Sequence, residues 1–166
     1  AVLAGLIYGQ RKKLPLGSTL DALTPALAVM GVALALSHLA SGSAYGAPTD
    51  LPWAIDLWGA ERHPTQVYEI LAASLILLIV WPGAGLWDRY AGRTDLRPGV
   101  RFLGFAALSA FARLFLEAFR GDSVLLPGGF RSAQVLAWLV LFACLWGIRR
   151  LQRQPESKKD NLENMG

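Results

Sequence analysis

The chain has 166 residues, 54% of them hydrophobic and only 17% charged. Soluble domains carry about 25% charged residues, so this balance, with a mean hydropathy of +0.38, excludes an ordinary solvated fold. The net charge of +4 is gathered in three clusters without interleaved aromatics, which excludes a nucleic-acid module and speaks for membrane topology.

The opening "AVLAGLIYGQRKK" places only about nine apolar residues before its basic cluster. A spanning helix needs about 20, so a partial N-terminal helix and a truncated chain are expected. Four longer apolar segments follow, over 20–40, 65–86, 100–119 and 133–148. Small residues recur along all four, as helix packing in lipid favours. The expectation is an all-α membrane protein, a polytopic bundle of about four full transmembrane helices plus the partial one. Residues 1–150 form a single integral-membrane domain in this reading, and 151–166 a disordered cytoplasmic tail, because that stretch is polar and without periodicity.

The loops orient the bundle. Arg11, Lys12 and Lys13, then Arg89, Arg93, Arg97 and Arg101, then Arg149, Arg150, Arg153, Lys158 and Lys159 all fall on one side by alternation. Only Arg62, Arg120 and Arg131 lie near helix ends on the other. The positive-inside rule makes the richer side cytoplasmic, so loops 41–64 and 121–132 face outward. In the first of these, "LPWAIDLW" sets Trp53, Ile55 and Leu57 on one alternating face. A short strand or membrane-surface hairpin is expected there, serving as an aromatic anchor or as part of a cap over a site.

Two polar constellations interrupt this apolar plan. In "RHPTQVYE", Pro64 suits the first position of a helix, where its missing N–H costs nothing, and His63 stands just outside. Gln66 and Glu69 share a face three residues apart, while Tyr68 points elsewhere. Glu69 lies more than a turn into the apolar segment, where a carboxylate is costly unless paired or facing water. In "ARLFLEAFRGD", Arg113, Glu117 and Arg120 are spaced i, i+4, i+7 and form one polar stripe. The stripe is either a structural ion pair or a functional site. Arg120 opens to the same leaflet as His63, and a guanidinium fork matches phosphate oxygens. A lipid headgroup pocket at the outer face is the functional reading. Gln134 opens the last helix as a cap or a further wall of that pocket. Cys144, the single cysteine, sits in an apolar run, so neither an internal disulfide nor a Cys/His metal cluster is expected.

Together these stretches resemble the prolipoprotein diacylglyceryl transferase family of the bacterial inner membrane. "HPTQVYE" is similar to that family's "HPSQLYE", matching at His63, Pro64, Gln66, Tyr68 and Glu69. "FARLFLEAFRGD" is similar to its "FRxxxExxR" helix at Arg113, Glu117 and Arg120, and "YGAPTDLPWA" to its "WGxPTDLPWA" loop. Gln134 falls where the family has a Gln opening the last helix. The resemblance spans nearly the whole chain to about residue 150. It implies transfer of a diacylglyceryl group from phosphatidylglycerol to the lipobox cysteine thiol of a prolipoprotein signal peptide, with no cofactor and no metal. It implies catalytic roles for His63, Glu69, Arg113 and Glu117. Arg113 and Arg120 would stabilise the departing glycerol phosphate, and His63 or Glu69 would handle the thiol proton. Gln66, Tyr68, Arg120 and Gln134 would contact substrate. His38, at an outward helix end, is either an interfacial, hydrogen-bonded histidine or a substrate-contacting substitute for a polar residue the site lacks. The resemblance implies a bacterial plasma-membrane protein, and the loop charges above add a multi-pass topology with the C-terminus cytoplasmic and the site toward the outer face.

The chain departs from the pattern in three places. The family's "GRxGNxxxG" reads "LALSHLASG" here, so Ala35 stands for the Arg and His38 for the Asn, and Gly42 alone persists. Ser109 occupies a position that is often Tyr. The family's "HGG" motif falls before residue 1. These changes motivate an alternative function, a non-catalytic relative that binds phospholipid or signal peptide in the membrane.

Overall fold

The computed structural model describes residues 12, 14–83, 97–123 and 131–153. Four α-helices run through it: α1 (Leu16–Ser41), α2 (Thr65–Val80), α3 (Val100–Leu116) and α4 (Ser132–Arg153). A 3-10 turn, Glu117–Phe119, extends α3, and two short strands, β1 (Ile55–Leu57) and β2 (Ala60–Arg62), lie between α1 and α2. α3 is the central helix: it packs on α4 and also touches α1 and α2, which pack on each other.

α1, α3 with its 3-10 turn, and α4 are long and apolar enough to cross a membrane. α2 is shorter than its apolar run predicts. It ends at Val80 rather than Leu86, because Trp81 precedes Pro82 and takes extended backbone, as residues before proline do. Its 16 residues span about 24 Å at about 1.5 Å per residue. α4 is longer than predicted. It continues to Arg153, so the helix runs past the expected boundary at residue 150, with Arg150 and Arg153 in its last turn, where cations complement the helix dipole. The partial N-terminal helix, the basic residues from Arg89 to Arg93, and the tail from residue 154 lie outside the described residues.

Buried surface is scarce, and on α1, α3 and α4 much of it is made of small side chains. Ala28 and Ala35 on α1, Ala107 and Ala110 on α3, and Ala137 and Cys144 on α4 are buried. Leu136, Trp138, Leu139, Phe142 and Trp146 on α4 and Leu34 and Met30 on α1 are exposed. A protein in water hides such residues; one in lipid packs its helices through small ones.

The end of the bundle that carries Leu16 and Val100 is locked by a cross-helix cap. Asp21 of α1 accepts hydrogen bonds from the Gly99 amide at 2.6 Å and the Phe102 amide at 2.8 Å. These are orphan donors at the start of α3, and a carboxylate there also meets the positive end of the helix dipole. Gly17 makes room for the approach, since a Cβ on it would lie 2.7 Å from the Pro98 carbonyl oxygen.

The opposite end is closed by the 41–64 loop. β1 and β2 pair antiparallel, with Ile55 opposite Arg62 and Leu57 opposite Ala60, so the expected hairpin is present. Trp58 and Gly59 at its tip both have positive φ, 59° and 74°, as a two-residue hairpin turn of matching twist requires. The Trp58 indole is held by donating to the Gly42 carbonyl at 3.2 Å. The segment from Tyr45 to Thr49 then threads between β2 and the end of α3. The Ala47 amide donates to Phe119, Gly121 to Tyr45, His63 to Ala47, and Thr49 to Glu61. Side chains tighten this cap, with the Thr65 hydroxyl donating to the Ala44 carbonyl at 2.6 Å and Arg62 stacking over the Tyr45 ring.

Candidate functional site

Under this cap the two sequence stripes meet. Glu69, on the second turn of α2, is the hub. Its Oε1 lies 3.0 Å from Arg120 NH1 and 3.4 Å from Arg113 NH1. Its Oε2 lies 2.7 Å from His38 Nδ1 at the end of α1. Three helices therefore converge on one carboxylate that is only 12% exposed. Glu117, 2% exposed, sits behind it with Oε2 3.3 Å from Arg113 NH2 and 3.8 Å from Arg120 Nε. That oxygen accepts no directed hydrogen bond among the described residues, so its stabilisation there is Coulombic. A buried carboxylate with two guanidinium groups nearby satisfies the requirement that intramembrane charges be paired.

The two arginines are not equivalent. Arg120 is 11% exposed, and its fork is spent on Asp122, by bonds of 2.9 and 2.8 Å, and on Glu69. Arg113 is 40% exposed and held only by long contacts. It retains N–H donors for a ligand. A guanidinium has five donors in a planar fork suited to phosphate, and among the described residues Arg113 is the arginine on the wall of the two cavities beside this cluster.

The cavities flank the seam between α2 and α3. One, of about 230 Å³, is bounded by α1, α2 and α3 and is lined by Ala35, His38, Glu69, Ser109 and Arg113 at its polar end. Its remaining walls are apolar, including Leu34, Ile76 and Phe105. The other, of about 590 Å³, is almost wholly apolar and is lined by Trp53, His63, Tyr68, Leu75, Phe115 and Phe119. Ala72 and Ala112 belong to the walls of both, so small residues thin the partition between them.

The sequence-derived candidates are thus divided. Glu69, Arg113, Glu117, Arg120 and His38 form one connected cluster. His63 and Tyr68 belong to the apolar cleft. The His63 ring packs edge-on against Phe119 at 5.3 Å, and its buried Nδ1 has no hydrogen-bond partner among the described residues. The Tyr68 hydroxyl accepts from the Trp53 indole at 2.8 Å. Gln66 is 1% exposed, and its amide donates to the Ser43 carbonyl at 3.1 Å, fastening α2 to the cap rather than lining a cavity. Gln134 stands in the first turn of α4 and lines neither cavity.

Sequence reasoning missed two residues of the cluster: Asp122, which pairs with Arg120, and Arg131. Arg131, counted only for topology, donates through NH1 to the carbonyls of Glu117 and Arg120. It caps the end of α3, where carbonyls lack helical partners, and so holds both charged side chains in register. Its place just before α4 was a visible hint, but its target is set by the packing of α4 on α3.

These features define a class: a polytopic helical membrane protein with a charged site at the rim of clefts between its helices. The family model for prolipoprotein diacylglyceryl transferase matches residues 1–150. The chain is 29% identical over 176 aligned positions to phosphatidylglycerol–prolipoprotein diacylglyceryl transferase of Thermosynechococcus vestitus, covering 96% of this chain and 62% of that protein. The protein of the same name from Geobacter sulfurreducens is 32% identical over 144 positions, covering 82% of this chain and 52% of the relative. That from Gloeobacter violaceus is 31% identical over 174, covering 94% and 60%. The chain spans about half to three-fifths of the length of these relatives. It belongs to the prolipoprotein diacylglyceryl transferase family.

Proposed function

We propose that the chain transfers a diacylglyceryl group from phosphatidylglycerol to the lipobox cysteine thiol of a prolipoprotein signal peptide. The observation that carries this is Arg113, poised with free donors at the polar end of an otherwise apolar cleft. A phospholipid has the same division, an anionic phosphate joined to acyl chains. The nucleophile is the substrate's own thiol, so the protein's task is to orient the two substrates and stabilise the leaving group. Arg113 binds the phosphate as charge builds on the departing glycerol phosphate. Glu69 and Glu117 hold Arg113 from behind, and Arg120 braces Glu69. His63 and Tyr68, on the wall of the larger cleft, contact acyl chains or the signal peptide.

The site faces the outer side of the bacterial plasma membrane in this reading, and the C-terminus is cytoplasmic. Lys12, Arg97, Arg101, Arg149, Arg150 and Arg153 all belong to the end of the bundle away from Glu69, which supports that orientation through the positive-inside rule.

The test is transfer itself. The chain, alone and within its native reading frame, is purified in detergent with phosphatidylglycerol and a lipobox peptide. The expected result is the mass gain of a diacylglyceryl group on the cysteine. A second reading, lipid binding without turnover, is favoured by Ala35, which is buried where the family pattern has an Arg. Retention of phosphatidylglycerol with no thioether, beside a working control enzyme, selects it.

A further inference from the structure

We infer that His38 is the group that takes the proton from the thiol nucleophile, with Glu69 as its orienting carboxylate. This rests on the transfer reading above and assigns a residue to its proton step. Nδ1 of His38 is engaged by Glu69 Oε2 at 2.7 Å. Nε2 has no hydrogen-bond partner among the described residues. The side chain is 27% exposed and lines the cleft that also holds Arg113. A carboxylate on one ring nitrogen fixes the neutral tautomer with N–H at Nδ1 and leaves Nε2 as a lone-pair acceptor.

Glu69 faces His38 from α2, and Arg113 and Arg120 from the α3 side contact Glu69. Glu117, Asp122 and Arg131 complete the cluster. His63, the only other histidine, lines the apolar cleft across the α2–α3 seam and lies far less well for a polar proton transfer. The substitutions at Ala35 and His38 are one helical turn apart, so the same stretch that lacks a cation has gained a base.

The step balances as follows. Nε2 accepts the S–H proton, and the thiolate attacks the glycerol carbon that carries the phosphate ester. The C–S bond forms and the C–O bond breaks, its electron pair leaving on glycerol phosphate. That phosphate, held by Arg113, accepts the proton from the imidazolium and restores the neutral ring.

The deciding variant is His38→Asn, which keeps a hydrogen bond to Glu69 but cannot take a proton. Where the wild-type protein transfers, His38→Asn should lose about 100-fold or more in kcat at pH 7, within the usual range for general-base catalysis. The deficit should shrink as pH rises past about 8.5, where a thiol ionises unaided. Added imidazole should restore part of the rate to His38→Ala. Nitrogen-15 NMR of histidine-labelled protein in phosphatidylglycerol nanodiscs, assigned with His63→Gln, should report N–H at Nδ1 and an unprotonated Nε2. Wild-type transfer with an equally active His38→Asn at pH 7 overturns the inference and leaves the transfer reading intact. An imidazolium or an Nε2–H tautomer at neutral pH also overturns it. Absence of transfer by the wild-type protein, beside a working control, overturns the transfer reading and the base assignment together.

Discussion

Arg120 NH1 lies 3.0 Å from Glu69 Oε1, and that contact ties the end of α3 to the mouth of α2 across 51 residues of chain. Because Asp122 and Glu69 use up its fork, Arg120 is a brace. Arg113, about two helical turns deeper and less restrained, is left as the cation that meets ligand.

Arg113→Ala should therefore remove transfer while leaving the fold in place. Loss of one group that stabilises developing negative charge costs about 100- to 1,000-fold in rate. Arg113 is 40% exposed but is the nearer cation to the buried Glu117, which keeps Arg120, so a modest stability loss of about 1–2 kcal/mol is expected. Arg113→Lys should recover only part of the rate, since a point charge replaces a planar fork. Steady-state kinetics beside a thermal melt in detergent checks this. A large drop in melting temperature with Arg113→Ala would make the residue structural.

Burial decides the ranking of the acidic partners. Glu117 is 2% exposed and faces two guanidinium groups, so Glu117→Ala removes the buried counter-charge they share and leaves them Glu69 and, for Arg120, Asp122. The expected cost is about 1–3 kcal/mol. Asp122 is 26% exposed, and Asp122→Ala should cost about 1 kcal/mol or less. Equal thermal shifts for the two variants would contradict the assignment of Glu117 as the buried counter-ion.

The cap depends on contact between backbones at Gly46 and Gly121. A Cβ at Gly46 would overlap the His63 carbonyl, and one at Gly121 would lie 2.7 Å from the Gly46 oxygen. Gly46→Ala should destabilise by about 1–3 kcal/mol through overpacking and lower transfer by displacing the 45–49 segment from α3. Gly31→Ala, whose Cβ meets nothing within 4 Å, should not destabilise the protein. Protease resistance of the 41–64 loop together with the melting temperature separates the two cases.

At the far end, Asp21→Ala should cost about 0.5–2 kcal/mol, the range for loss of a helix N-cap. Asp21 belongs to the opposite end of the bundle from Glu69, so transfer at a temperature well below unfolding should be unchanged. A lower melting temperature with an unaltered kcat is the expected pattern. A change in kcat would couple this end of α1 to the site.

Much of the fold was legible because lipid imposes a simple rule: long apolar runs become helices, and prolines and charges end them. The hairpin was visible in the alternation of Trp53, Ile55 and Leu57. The errors were at boundaries. The apolar content of residues 81–86 suggested a longer α2, but the Trp81–Pro82 dihedral restriction ended it at Val80. The apolar content of α4 ran out at Ile148, yet basic residues continued the helix to Arg153.

Helical periodicity alone placed Arg113, Glu117 and Arg120 on one stripe, and hydropathy alone marked Glu69 as an intramembrane carboxylate in need of a partner. Those are local facts, determined by a repeat of about 3.6 residues and by the cost of charge in lipid. Only the tertiary structure decided that Glu69 is the partner of both arginines, that His38 closes the cluster from α1, and that Gln66 fastens the cap instead. The same holds for Arg131 on the carbonyls of Glu117 and Arg120, and for Asp21 at the start of α3. Each of these depends on how helices pack, and helix packing is set by small side chains spread over several segments, so no single stretch of sequence encodes it.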